Sequence, residues 1–106
     1  MTRIIKNGKN PLEAQYMYHQ ALYLSTQGKK EEALNDFRRA LVIAPGFCDA
    51  LNAMGNCLDE LERYDEALRK FDKLIEIEPH YTDARLKRQM ILKKIRGYTG
   101  VTSDKP

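Results

Sequence analysis

The 106-residue chain contains no tryptophan, only two cysteines and only four prolines, and no long apolar run. No stretch approaches the roughly 20 apolar residues that a membrane-spanning helix needs. Residues 1–10 carry charge without the apolar block of a signal peptide. These absences predict a cytoplasmic protein without a membrane span. At this length we expect one domain that buries roughly 65% of the surface exposed by its unfolded chain.

The few cysteines and histidines form no metal or disulfide signature. Cys48 and Cys57 are nine residues apart in a predicted helix, where steps of about 100° place them on opposite sides. Zinc needs about four ligands at defined spacing, and His19 and His80 are both far away in sequence. We therefore expect two reduced cysteines, no metal site and no cofactor.

The sequence also lacks the patterns that catalysis requires. It has no glycine-rich phosphate loop and no Ser/His/Asp or Cys/His arrangement at a plausible spacing. Its many carboxylates fall in the first turns of predicted helices or on exposed faces, where they have a structural explanation. We therefore predict no catalytic residues, no small-molecule substrate and no enzymatic activity.

Charge is unevenly distributed along the chain, although the formal net charge is only +3. Residues 48–81 carry four Lys or Arg against nine Asp or Glu, whereas residues 82–96 carry six against one. Concentrated positive charge attracts anions at long range, so residues 82–96 could bind RNA or an anionic lipid surface. No arginine-rich or aromatic-interleaved nucleic-acid motif accompanies this charge, and a solvated end face is the favoured interpretation.

An internal repeat organises the chain. Six residues recur with identical type 34 positions later: Glu32, Ala33, Leu34, Phe37, Ile43 and Pro45 match Glu66, Ala67, Leu68, Phe71, Ile77 and Pro79. The same offset relates Leu58 to Leu24 and to Leu92, so a third, partial copy follows the second. We therefore predict two repeats and one closing helix.

Each repeat has the spacing of two amphipathic helices joined by a short turn. The first helix is expected to start with Asn10 as N-cap and Pro11 at its first position, with Glu13 returning the capping bond, and to end near Thr26. Gly28 then permits a tight turn. The predicted organisation is a flexible basic N-terminus at 1–10, a domain at 11–97 with repeats at 14–47 and 48–81 and a closing helix at 82–96, and a disordered tail at 98–106.

The residues shared by the repeats resemble the signature of the tetratricopeptide repeat family. The matching positions are Ala21, Leu24, Ala33, Phe37, Ala40 and Pro45 in the first repeat and Gly55, Leu58, Tyr64, Ala67, Phe71 and Pro79 in the second. The resemblance covers about residues 12–96. It implies an all-α fold, a right-handed superhelix of five antiparallel helices, which binds peptides or protein segments rather than catalysing a reaction. The chain departs from the pattern at Gln20, where the family prefers leucine.

The resemblance also implies that the first helix of each repeat lines a concave groove. On each of these helices some residues are needed for packing against other helices. Helical spacing places the remaining residues on a neighbouring face that is available to a ligand. The predicted peptide-binding residues are Tyr18, Leu22, Ser25, Asn52, Asn56, Asp59, Leu86 and Met90, with Lys87 and Lys93 as a charged rim. The apolar pairs at the two ends are expected to anchor ligand side chains, and the two asparagines to hydrogen-bond a ligand main chain.

The favoured function is therefore a small adaptor for a protein or peptide ligand, and the alternatives use the last helix. Two and a half repeats fall short of the roughly three expected for stability, so Leu86 and Met90 could instead form a homodimer interface. The basic closing helix could bind an anionic partner. The acidic-tail clamp of one subgroup of the family is not matched, because only Lys87 is compatible and Asp83 would repel a carboxylate.

Overall fold

The computed structural model describes the backbone of residues 10–100 and the side chains of residues 10–97, and this part of the chain is entirely helical apart from short turns. Its helices are α1 (Leu12–Thr26), α2 (Lys30–Ile43), α3 (Cys48–Glu60), α4 (Tyr64–Ile77) and α5 (Thr82–Gly100). The predicted all-α class, a superhelix of five antiparallel helices, is confirmed. None of the described helices is both long and apolar enough to cross a bilayer.

The 34-residue offset is reproduced in the core. Phe37 and Phe71 occupy equivalent places in α2 and α4 and are both fully buried, as are Ala33 and Ala67 one turn earlier. Gly55 on α3 lies against the Phe71 ring so closely that an added Cβ would be 2.6 Å from the ring's Cζ atom. Small residues therefore set the distance between the two helices of the second repeat, and the phenylalanine fills the space that remains.

The start of α1 differs from the prediction. Pro11, not Asn10, is the N-cap, and no side chain caps the helix, so the expected exchange of hydrogen bonds with Glu13 is wrong. Instead, the Gln15 amide donates to the Asn10 carbonyl oxygen at 2.6 Å. Pro11 has φ of −54° and ψ of 145°, which lies outside the helical region, so the first helical residue is Leu12. The rest of the predicted N-terminal segment, residues 1–9, lies outside the described residues.

The last helix is longer than predicted. It continues through Gly97 to Gly100, so the expected stop of the helix at Gly97 is wrong. The remainder of the predicted tail, residues 101–106, lies outside the described part of the chain. A glycine inside a helix costs only about 1 kcal/mol relative to alanine, and the preceding turns are anchored by the buried Ile91. That penalty is too small to end the helix.

Gln20, the departure from the family pattern, is exposed on α1. Its counterpart in the second repeat, Met54, is 1% exposed because α3 packs against the repeat before it. Among the described residues no helix precedes α1, so a polar side chain at this position is not buried. The position of the repeat in the array therefore accounts for the glutamine.

The two turns inside the repeats use the left-handed backbone conformation at equivalent positions. Gly28 has φ of 82°, and Glu62, 34 residues later, has φ of 62°. Glycine adopts this region freely, whereas a residue with a Cβ is strained there by about 1–2 kcal/mol. The second turn is therefore less well suited to its geometry than the first.

We expect Glu62→Gly to stabilise the protein by about 0.5–1 kcal/mol, because the strain that it relieves exceeds the entropy that an added glycine loses on folding. The reverse substitution at the matched position, Gly28→Ala, should destabilise it by about 1 kcal/mol. Thermal unfolding followed by circular dichroism measures both. A melting temperature that falls for Glu62→Gly would contradict the assignment.

Candidate functional site

The predicted groove residues of α1 lie where α1 meets the start of the second repeat. The ring of Tyr18, which is half-buried, has its centroid 5.0 Å from that of Phe47 and 6.3 Å from that of Phe37. Leu22, one turn later, is also half-buried and packs on the core. Burial raises the pKa of the Tyr18 phenol, and the negative charge of Asp49 adds to the shift. Tyr18 and Leu22 thus form a partly covered apolar surface.

Ser25 is engaged by the protein itself. Its carbonyl oxygen accepts a hydrogen bond from Lys30 Nζ at 3.4 Å, and its hydroxyl hydrogen-bonds the Cys57 side chain. Burial raises the pKa of the Cys57 thiol, which donates to the Lys30 carbonyl oxygen at 3.6 Å. Neither Cys48 nor Cys57 forms a disulfide bond. No three His, Cys, Asp or Glu side chains within the described part of the chain are grouped so that they could hold a metal ion.

Asn52 and Asn56 form the centre of the predicted site. Both residues are half-buried, and they lie one turn apart on the same face of α3. The Oδ1 atom of each is buried and has no hydrogen-bond partner among the described residues. A buried polar atom without a partner costs about 1–3 kcal/mol. Two buried side-chain oxygens without a partner therefore lie one turn apart on this face.

The ends of this α3 face are connected to α5 and to the turn that leads into it. The Tyr81 hydroxyl donates to Asp49 Oδ1 at 3.3 Å, and burial together with Asp49 raises the pKa of Tyr81 to about 12. Asp59, a predicted groove residue, is ion-paired with Lys94 at 2.9 Å. The Lys94 ammonium also lies 5.8 Å from the Tyr64 ring centroid. We call the surface formed by Tyr18 and Leu22 on α1 and by Asn52 and Asn56 on α3 the junction face. On α1 it borders the second repeat, and on α3 it borders α5 and the turn that leads into it.

The predicted α5 residues are in a different environment. Leu86 and Met90 are 54% and 53% exposed, because no helix follows α5 among the described residues to border them. Leu86 faces a cleft of about 520 Å³ between α4 and α5, which is also lined by Asp72, Ile75, Thr82, Arg85, Arg88 and Gln89. Lys87 is half-buried and Lys93 is exposed. Leu86 and Met90 are thus more open than their equivalents on α1 and α3.

Several of the basic side chains of α5 contact groups of the second repeat. Arg88 Nε is 2.6 Å from Asp72 Oδ1, and Lys94 pairs with Asp59. Arg85 donates through Nε to the Pro79 carbonyl oxygen at 2.9 Å. These pairs were not predicted from the sequence, although the opposite charges of residues 48–81 and 82–96 were a signal for them. Part of the positive charge of α5 therefore holds this helix against the preceding repeat.

Comparison with known proteins relates both the sequence and the fold to one family. Two family models, each described as tetratricopeptide repeat, match residues 14–47 and 48–81. A solved structure described as "MamA RS-1 ArsTM double mutant" matches with a TM-score of 0.79 and 24% sequence identity. The match covers 85% of this chain and 51% of that one, so the chain spans about half the length of the MamA structure. At this identity the likeness establishes a shared fold.

Proposed function

Because the chain belongs to the tetratricopeptide repeat family, we propose that it is a non-catalytic adaptor that binds a peptide or protein segment on its junction face. The segment would lie across the first helices of the repeats and contact α1 and α3. The proposed site extends onto α5 through Leu86 and Met90, with Lys87 and Lys93 at its rim. We propose that the protein works in the cytoplasm, a reducing compartment, since its two cysteines do not form a disulfide bond.

The pair of unsatisfied amides carries this proposal. An extended main chain supplies N–H and C=O groups along its length. The side-chain amide of an asparagine can accept a hydrogen bond from an N–H group through its oxygen or donate one to a C=O group through its nitrogen, and rotation about the Cβ–Cγ bond selects between them. The Oδ1 atoms of Asn52 and Asn56 are buried without a partner within the described residues, although each side chain as a whole is only half-buried. Rotation about the Cβ–Cγ bond would bring each oxygen to the exposed side of its amide, where a bound main chain would satisfy a group that the free protein leaves unpaired. Main-chain recognition of this kind tolerates many ligand sequences.

Tyr18 and Leu22 supply the apolar part of the site. They are partly exposed but supported from beneath by Phe47 and the core, so that an apolar ligand side chain would meet a surface that is already ordered. Preorganisation reduces the entropy lost on binding. The acids that flank the asparagines, Asp49 and Asp59, are held by Tyr81 and Lys94. The site therefore favours an apolar anchor next to an uncharged stretch of main chain.

The double substitution Asn52→Ala, Asn56→Ala is expected to weaken peptide binding about tenfold or more, because each lost hydrogen bond contributes about 0.5–1.5 kcal/mol. The probe is a peptide selected from a random displayed library on the wild-type chain and labelled for fluorescence anisotropy. In ¹⁵N spectra of the wild type, the side-chain amides of Asn52 and Asn56 should shift on titration with this peptide.

A matched control uses a helix face remote from the site. Lys73→Ala on α4 removes an exposed side chain outside the junction face and should leave the peptide affinity unchanged. Equal affinities for the asparagine double variant and the wild type, with no shift of the two side-chain amides, would refute the junction face as the binding site.

A further inference from the structure

The outer face of α1 carries large side chains that the fold does not bury. Leu12, Tyr16 and Tyr23 are 81%, 60% and 62% exposed, and helical spacing places them in one stripe with Gln20 and Gln27. Tyr16 and Tyr18 are two residues apart, about 200° around the helix, so this stripe is separate from the junction face. We call these five residues the α1 stripe.

The repeat shows what normally happens at these positions. Tyr16 is equivalent to Ala50 and Ala84, which are both 0% exposed, because each packs against the preceding repeat. Tyr23 is equivalent to Cys57 and Ile91, which are 2% and 1% exposed. At the repeat positions of Tyr16 and Tyr23, α3 and α5 are therefore in contact with the preceding repeat. At these positions α1 has two tyrosines, whereas the later copies have small or aliphatic residues.

The charge of α1 limits what can cover the stripe. Glu13 is the single Asp, Glu, Lys or Arg residue of α1, in a protein of which 31% of residues are charged. Depletion of charge and enrichment in tyrosine are the composition of protein interfaces rather than of solvated helix faces. An uncharged surface contributes no electrostatic attraction to an acidic or basic partner, and it exerts no repulsion on a second copy of itself.

The register of the stripe is self-complementary. If two α1 helices pack antiparallel about a dyad near Gln20, Tyr16 of each copy faces Tyr23 of the other, and Leu12 faces Gln27, because each pair of numbers has the same midpoint. The two Glu13 carboxylates would then be about 20 Å apart, well beyond the roughly 8 Å screening length at physiological salt. We propose that the α1 stripe is a homodimer interface at which two copies of this chain pack antiparallel.

The other end of the array is a poorer partner for the stripe. Its last helix presents basic residues beside Leu86 and Met90, and the stripe offers no carboxylate to pair with them. One helix face per copy also covers less than the roughly 800 Å² per partner of a standard interface. We therefore expect a reversible dimer with a dissociation constant in the micromolar range or weaker, and no growth into filaments.

Charge-swapped variants of the full chain test this geometry. One variant carries Tyr16→Lys and Tyr23→Lys, and the other carries Tyr16→Glu and Tyr23→Glu. In the antiparallel dimer each variant places like charges opposite one another, so each alone should dimerise at least tenfold more weakly than the wild type. An equimolar mixture places lysine opposite glutamate and should restore the dimer. Sedimentation equilibrium from low micromolar to near-millimolar concentration measures all four samples.

The matched control is Leu86→Glu with Met90→Glu, which changes an exposed apolar pair at the other end of the array and should leave the dimer constant unchanged. All substituted positions are exposed, and circular dichroism should show unaltered helix content. Three results would each overturn the proposal: a wild type that is monomeric throughout the range, a dimer dissolved by the control, or a glutamate variant that associates more tightly than the wild type. Tighter association of the glutamate variant would mean that the α1 stripe binds a basic surface of the other copy rather than a second α1 stripe.

Discussion

Replacing Gly55 by alanine should destabilise the protein by about 1–3 kcal/mol, the usual cost of forcing extra volume into a packed core. The new Cβ would lie 2.6 to 2.9 Å from three carbons of the Phe71 ring, and real Cβ atoms do not approach so closely. Phe71 is 0% exposed, so its ring is surrounded by other protein atoms and can give way only if these neighbours also shift. Urea unfolding measures the loss.

Two companion variants separate this collision from other effects. Gly97→Ala is the same substitution inside α5, with no atom within 4 Å of the added Cβ among the described residues, and it should stabilise by about 0.5–1 kcal/mol through helix propensity. Phe71→Leu removes ring atoms, so its combination with Gly55→Ala should cost less than the sum of the single changes. Additive losses would show that the ring and the glycine are not in contact.

Substituting leucine for Ala67 should also cost about 1–3 kcal/mol, with a fall in the melting temperature of roughly 4 °C or more. Ala67 is 0% exposed on α4, and three added carbons require α4 to move away from its neighbours. The control is Val42→Leu on α2, where the side chain is 80% exposed and stability should be unchanged within about 0.5 kcal/mol.

A melting temperature that does not fall for Ala67→Leu would mean that α4 can shift at little cost. Both core predictions concern positions at which the repeat pattern selects small residues. In the first repeat the position equivalent to Gly55 is Ala21, which is also fully buried, so a Cβ is accommodated there. The two repeats therefore differ in the space available at this one position, although their patterns are the same.

The opposite charges of residues 48–81 and 82–96 have a role within the molecule. Lys94 and Arg88 on α5 pair with Asp59 and Asp72, which belong to the first and second helices of the preceding repeat. The closing helix has no second helix of its own within the described chain to cover it. These ion pairs therefore add to its apolar contacts with α4. For this reason we do not propose the basic helix as a binding surface for RNA or lipid.

The helices and most of the core can be predicted from the repeat pattern alone. The 34-residue offset related Phe37 to Phe71, which are both buried, and the predicted end of the first helix near Thr26 and start of the closing helix at residue 82 agree with α1 and α5. This succeeds because helical periodicity and small residues at fixed spacing are local properties that two copies of a pattern report independently.

Which faces of the first helices are covered depends on how the helices pack in three dimensions. Tyr16 and Ala50 hold the same place in the repeat, yet Tyr16 is exposed and Ala50 is buried, because α3 packs against the preceding repeat whereas no helix precedes α1 among the described residues. The partner of Asp59 is a lysine 35 residues away, and the Oδ1 atoms of Asn52 and Asn56 lost their access to solvent without gaining a partner. Such outcomes depend on the relative placement of helices distant in sequence, which no local pattern encodes.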